Sequence, residues 1–534
     1  METWFVIITT ICLLALFKSL FNLLCNSEQK GKKYKLPLPP GPTPMPIIGV
    51  LSWVGKTLPE FEVIFRSLFS KYGPIISLSF GSTPTILIAN GTVAHEALVQ
   101  NSIIFANRVK PGITVKIMTS DQHTVSFANG PTWRLLRRNM ASFFHPSRLR
   151  YYSRIRRRVL RTLLDRLKAH SQSQVGPNVS SVEVITHFQI TIFSILAFMC
   201  YGEKINEKSI TQMEKVTREM IECGSRFQIL DLWPLLGKTL LYHRWKEFLS
   251  MRKDLEDSIL PHIRAQIQAK DNQRNLKEAK DCHGKDLPRY VDTLLELELE
   301  EEEGRALTED EMVNLCNEFT AAGSFSTSIV LQWVMAYIVK YPEIQQKVFK
   351  EIKNVVGEAA EEVTEEDLPN LQYLRAVILE GLRRHPAGNF ALPRSINEEV
   401  EVAGYTLPKG SSVNFMVSEV GWDPKVWDEP LKFKPERFLA KELGGSGDEA
   451  FDIKGNREIK MMPFGAGRRI CPGYTLGMLH LEYFVSNLVL KFQWKAVEGD
   501  DIDLTEKHVE PFVLMKHPLR AQISSRTQKW ERCL

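Results

Sequence analysis

From Lys460 to Phe484 the chain reads KMMPFGAGRRICPGYTLGMLHLEYF, and the ten residues Phe464-Gly465-Ala466-Gly467-Arg468-Arg469-Ile470-Cys471-Pro472-Gly473 carry most of its information. Glycine at 465 and 467 lets backbone approach a ligand closely. The loop delivers one cysteine to the mouth of a helix expected from about Tyr474 to Leu490. The first N–H groups of a helix stabilise a thiolate there. Arg468 and Arg469 beside it suit carboxylates. The bland reading, a buried structural cysteine next to a turn, does not account for so specific a ten-residue pattern.

The other cysteines, Cys12, Cys25, Cys200, Cys223, Cys282, Cys316 and Cys533, form no CxxC pair and have no histidine at metal spacing. This argues against a disulfide framework and against structural zinc, and for a reducing, cytosol-facing environment. The chain has 534 residues, 44% of them hydrophobic, enough for a large core. The net charge of +5 is too small and too dispersed for a nucleic-acid protein.

Three segments differ in character. Residues 1–27 read as a membrane anchor: Trp4 to Cys25 is apolar apart from a few positions such as Lys18, and as a helix would span roughly 33 Å, about one bilayer core. Lys30, Lys32, Lys33 and Lys35 follow it, and cationic flanks stay cytosolic. Residues 28–49 form a basic and proline-rich hinge; LPLPPGPTPMPIIG, Leu36–Gly49, forbids a helix and favours a stiff extended connection. Residues 50–534 form the body, mainly α with small β-sheets. Pro74–Asn90 alternates and turns at Gly81-Ser82, a hairpin; helical segments then run almost without pause to Lys353; a strand-rich patch spans Phe390 to Met416 with turns at Ala403-Gly404 and Lys409-Gly410. The basic run Arg148–Lys168 and the acidic run Glu296–Glu311 read as solvated helix faces, the basic one also as a surface for an acidic partner.

One helix is unusually long. Thr308 and Glu311 make a capping box, Met312, Leu315, Cys316, Phe319 and Ala322 recur at helical spacing, and Pro342 ends it. From Glu309 to Lys340 it would be about 48 Å long. Ala321-Ala322-Gly323 removes side-chain bulk from its middle, either to pass a flat or bulky group or to let another helix cross closely.

A lone thiolate in a glycine-rich nest suits the axial position of a haem iron. Together with the following motifs, the chain resembles the cytochrome P-450 family, plant microsomal type, and plant family 89 in particular. Phe464, Gly467, Arg469 and Cys471 match the family's haem loop; Glu380-Gly381-Leu382-Arg383 matches its Glu-x-x-Arg helix; Lys434-Pro435-Glu436-Arg437-Phe438 matches the partner motif. The resemblance implies the P-450 fold, with a long central helix over haem b, Cys471 as axial ligand, and Glu380, Arg383 and Arg437 in a buried ion network. It assigns Trp133, Arg137, Arg394, Phe464 and Arg469 to the cofactor. It implies a monooxygenase of the endoplasmic reticulum membrane, single-pass and facing the cytosol. Such an enzyme uses dioxygen and electrons from NADPH through cytochrome P-450 reductase to oxidise a hydrophobic plant specialised metabolite. Phe127, Gly323, Phe325, Phe390 and Phe512 fall in its substrate regions, and Gly323 would leave room for dioxygen and substrate.

The chain departs from the family in one place. Where the family carries an acid and then threonine, the sequence has Phe325 and Ser326, followed by Thr327. Ser326 and Thr327 are the catalytic candidates that remain, and the usual proton relay is changed. The competing functions are an isomerase, lyase or dehydratase of the same fold working without dioxygen, and a non-catalytic haem sensor or carrier. The anchor yields a direct expectation: deleting residues 1–27 moves the protein from the membrane to the soluble fraction with haem retained, as measured by fractionation and absorbance. Retention of the truncated protein in the membrane pellet would refute a single N-terminal anchor.

Overall fold

A computed structural model of the chain describes residues 9–12, 14–16, 18, 35–42, 58–80, 83–172, 181–232, 238–277, 288–439 and 451–526. Most of the expected anchor and much of the hinge therefore lie outside the described residues; residues 9–12, 14–16 and 18 of the anchor are helical. The chain forms two compact units: residues up to Val109 with Phe390–Val426 and Asp452–Ile470, and Lys110–Asn389 with Trp427–Phe451 and the residues from Cys471 onward.

The first unit is built on a five-stranded sheet. Ile75–Phe80 and Thr83–Ile88 pair antiparallel, as their alternation predicts. Ser412–Phe415 adds parallel to the second strand, and Arg394–Ser395 and Asn107–Arg108 complete the order. Successive side chains serve opposite faces. Ile75, Ile86, Ile88, Val413 and Phe415 enter one apolar cluster, while Ile76, Leu78 and Leu87 enter another with Phe65 of the Leu58–Tyr72 helix. Val400–Val402 and Tyr405–Leu407 form a tight hairpin whose turn residues Ala403 and Gly404 have φ of 52° and 78°, the geometry that two-residue hairpin turns require. The described part of the proline-rich stretch is fastened to this unit. Thr406 N donates to Pro37 O and Ser77 N to Pro40 O, each at 2.9 Å, and a Cβ on Gly41 would lie 1.9 Å from Ser77 O.

The second unit is organised by the helix Glu309–Lys340, with the ends and the capping box expected from the sequence. The helix Val184–Tyr201 lies along it, both being buried over most of their length. Each is long and apolar enough to cross a membrane, yet 67% and 83% of the spans concerned are covered by protein, so they are core helices. After the helix Tyr474–Lys491, the strand Phe492–Ala496 pairs with Arg520–Ser525, which also pairs with Val182–Glu183. Glu506–Val509 and Phe512–Met515 form a further hairpin.

Most of the acidic run is not a helix face; only Glu309, Asp310 and Glu311 belong to an α-helix, the first turn of the central one. Glu298–Leu299 pairs with Arg305–Ala306, and the reversal uses Glu303 and Gly304 at φ 59° and 73°. Gly304 supplies a break that outweighs the helix propensity of the glutamates. The basic run does form a helix, Ser153–Gln172, but not all of it is solvated: Arg156 is fully buried and binds Glu365 through Nε and Nη2, each at 2.7 Å.

Glu380, Arg383 and Arg437 lie together. The buried Glu380 carboxylate accepts from Arg383 Nε at 2.7 Å and Nη2 at 2.8 Å, from Lys434 N at 2.8 Å and from Arg437 Nε at 3.2 Å. Both guanidinium groups lie over the Trp427 ring, at 5.2 and 5.8 Å. Removing one member leaves the others charged and unmatched, a loss of roughly 3–5 kcal/mol. Glu380→Ala is therefore expected to be among the most destabilising substitutions in the chain, read as a fall in the midpoint of thermal or urea unfolding. A midpoint within a degree of the parent would rule out a structural role for the network.

Candidate active site around Cys471 and the central helix

In the first unit, the loop before the cysteine depends on its glycines. Gly465 and Gly467 have φ of 69° and 66°, and a Cβ on Gly467 would lie 1.8 Å from Leu98 O. Gly467–Arg469 forms a single 3₁₀ turn, and the buried Arg469 donates from Nε to Ala106 O at 2.7 Å. Phe464 is half-buried in the same loop. Arg394 is buried in the sheet opposite Arg108, which donates to Leu392 O at 2.8 Å. Arg108 was not singled out in the sequence. It is a lone arginine after Phe105-Ala106-Asn107, and only strand pairing brings it beside Arg394. Phe390 lies edge-on to Phe65, ring centres 6.1 Å apart.

In the second unit, Cys471 is a free thiol just before the helix Tyr474–Lys491. It keeps some exposure, yet its surroundings are dry enough that burial pushes the thiol up. The Gly473 N–H and the Arg137 guanidinium oppose that shift by favouring the thiolate. Arg137 is itself lowered by burial and supported by the charge of Cys471. It lies one turn after the buried Trp133 on the helix Gly130–Phe143, whose first turn contains Pro131.

The middle of the central helix presents different chemistry on different sides. Ala322 is exposed and Ser326, one turn on, is partly so, in a stretch otherwise largely buried. Ser326 Oγ donates to Ala322 O at 2.7 Å. Thr327 is buried. Gly323 does not provide the open space. A Cβ there would meet Leu196 Cδ1 at 2.8 Å, so the glycine serves the close crossing with the helix Val184–Tyr201. The exposed small residue is Ala322. Phe325 is buried, with its ring 4.8 Å from that of Phe512. It also lines a small pocket with Gln189, Phe193, Glu214, Thr217, Arg218 and Ser324, with room for about one water. Glu214 pairs with Arg218 at 3.1 Å, and burial raises its carboxyl despite that partner. Phe127 is half-buried at the end of the segment that follows the short helix Ile113–Met118.

These residues fit haem. A soft sulfur donor is held by an N–H and a guanidinium, which suits iron in a porphyrin. In the same unit the long helix offers a face bearing only a methyl group and a hydroxyl.

The cytochrome P-450 family pattern matches residues 39–524. Over 530 residues the chain is 43% identical to cytochrome P-450 89A9 of Arabidopsis thaliana, covering 97% of this chain and 99% of that protein. It is 32% identical to geraniol 8-hydroxylase of Catharanthus roseus, covering 91% and 93%. A solved zebrafish cytochrome P-450 with progesterone superposes with a TM-score of 0.68 at 22% identity, over 88% of this chain and all of that one, a likeness of fold alone. The chain belongs to the cytochrome P-450 family. It is an oxidoreductase, a monooxygenase with haem b as cofactor, and NADPH supplies such enzymes with electrons through a reductase.

The two critical glycines are expected to differ in tolerance. Alanine at 467 meets a backbone carbonyl and a left-handed φ, so Gly467→Ala should abolish haem incorporation. Alanine at 323 meets only the end of the Leu196 side chain, which can rotate, so Gly323→Ala should fold and bind haem with a modest loss of stability, about 1–3 kcal/mol at most. Absorbance of the purified variants checks both. Full haem content in Gly467→Ala would refute this account of the loop.

Proposed function

We propose that the chain is a membrane-anchored haem-thiolate monooxygenase of the endoplasmic reticulum. Its body faces the cytosol, takes electrons from NADPH–cytochrome P-450 reductase, and oxidises a hydrophobic plant specialised metabolite. The observation that carries the reading is the placement of Cys471 beside the Gly473 N–H and Arg137. The apolar run Trp4–Cys25 and the lysines after it support the anchor.

When bound, haem b activates dioxygen so that one oxygen atom enters the substrate. Cys471 would hold the haem iron through its sulfur. Burial alone would keep its thiol neutral, so the Gly473 N–H and Arg137 stabilise the negative charge that ligation imposes. Arg137, Arg394 and Arg469 would hold the haem propionates, and Trp133 and Phe464 would help bind the cofactor, each on its match to the family. Ser326 holds its proton against Ala322 O and retains lone pairs that can accept from water. By rotating, its hydroxyl can take a proton from one side and release one toward the open face. Thr327 is the second hydroxyl candidate, set back in the interior. Phe325 can neither donate nor accept, and with Phe512 it offers an apolar wall. Phe127 and Phe390 are the other proposed aromatic contacts; Gly323 is withdrawn, since its open side meets Leu196.

The test is co-expression with a plant reductase and untargeted metabolite profiling, followed by turnover of whatever compound is consumed. Product should require NADPH, reductase and dioxygen together. Ser326→Ala should lower product formed per NADPH by about tenfold or more and raise peroxide. Cys471→Ala should lose the thiolate-type band of the reduced carbon monoxide complex. Full turnover without dioxygen and NADPH would overturn the monooxygenase reading in favour of an isomerase or lyase.

A further inference from the structure

Asp310, Asn314 and Glu318 are spaced four apart on the central helix and so lie on one ridge of it. All three hold the same segment, Thr119–Ser126. Ser120 Oγ donates to Asp310 Oδ2 at 2.5 Å, and the Asn314 amide lies 2.7 Å from Ser120 Oγ. The Glu318 carboxylate accepts from the backbone N–H of Val125 at 2.8 Å and of Ser126 at 2.7 Å, one bond to each oxygen. Further along the ridge, Ala322 and Ser326 are the positions that stay open.

The clamped segment would not keep this shape by itself. Ser120, Asp121 and Gln122 have φ of 46°, 51° and 77°, three consecutive non-glycine residues in the left-handed region. Such residues persist only where their surroundings fix them. Additional ties come from the neighbouring elements. His123 contacts Ser120 O at 2.6 Å and Glu302 at 2.8 Å, and Arg252 holds Asp310 at 2.5 Å. Phe127 closes the turn that follows, its N–H donating to Thr124 O at 3.3 Å. Its position therefore depends on the Val125 and Ser126 amides that Glu318 fixes.

We propose that Glu318 is a specificity-determining positioning residue. Its carboxylate holds the Val125–Phe127 turn one helical turn before Ala322 on the same ridge, and so sets the size of the molecule admitted to the open Ala322–Ser326 face. The proposal rests on that face being the monooxygenase's substrate face. Two N–H groups converge on two oxygens, a geometry that a carboxylate matches. Glutamine would set an N–H₂ against one donor, and alanine would release both amides.

The experiment uses the haem-loaded full chain, with imidazole as a small probe and a bulky triaryl imidazole as a large one, both read by their spectral shifts. Hydrogen exchange at Val125 and Ser126 is measured without ligand. Glu318→Ala and Glu318→Gln should leave imidazole affinity and the carbon monoxide band unchanged. They should speed exchange at the two amides and shift the affinity ratio of large to small probe by about tenfold, the scale of a charge-assisted hydrogen bond. Glu318→Asp, which keeps the charge, should recover part of the shift. Faster exchange with an unchanged ratio would show that the clamp is structural only and overturn the proposal, as would unchanged exchange. An unmodified protein that binds neither probe would overturn the functional reading and this proposal together.

Discussion

A helix that runs through a protein interior must satisfy every polar group it carries without water, and the central helix does so with its own backbone. Thr320, Ser324, Ser326 and Ser328 donate to the carbonyls of Cys316, Thr320, Ala322 and Ser324 at 2.7–3.0 Å. This turn-by-turn return bonding is why hydroxyls can sit in the middle of a buried segment. It frees the helix from needing partners at the point where Ala322 and Ser326 must stay open. The cost of burial is met elsewhere, by the Leu196 crossing at Gly323 and by the apolar sides that pack against the rest of the second unit.

The same unit keeps its few buried charges in matched sets. Glu380 takes four donors, and Arg156 is closed by Glu365. His385, whose pKa burial lowers, lies flat on Trp333 with ring centres 3.7 Å apart and is bonded to Tyr337 and Glu506, each at 2.8 Å. Each set ties segments distant in sequence at one point, and together they brace the unit that carries the cysteine. The link to function is geometric, since a ligating sulfur must be held without the freedom to turn away.

Phe325 shows how far a local substitution spreads. In place of a carboxylate the helix presents a ring to Phe512, and among the described residues the acid lining the small pocket behind it is Glu214, supplied by the helix Glu207–Phe227. The hydroxyl that faces open space belongs to Ser326. Under the function proposed above, proton handling falls to an alcohol and water, while the wall beside it is apolar.

Short-range signals were legible in the sequence because local chemistry enforces them. The capping box and Pro342 set the ends of the central helix, alternation and turn residues gave the Ile75–Ile88 and Val400–Leu407 hairpins, and the loop before Cys471 carried its own pattern. The acidic run misled, because charge density is shared by solvated helices and hairpins and the turn at Glu303-Gly304 decided between them. The strands after Phe492 and the pairing of Arg108 with Arg394 were not legible, since a short strand takes its identity from a distant partner. Gly323 could be read as a gap but not as a gap for what, because a missing side chain does not name its neighbour; Leu196, more than a hundred residues away, does. The sequence alone therefore determined the class of chemistry, through residues adjacent along the chain. Only tertiary structure decided which small residue faces open space and which carboxylate clamps Val125 and Ser126, because those choices depend on the direction in which each side chain leaves a helix and on what it meets there.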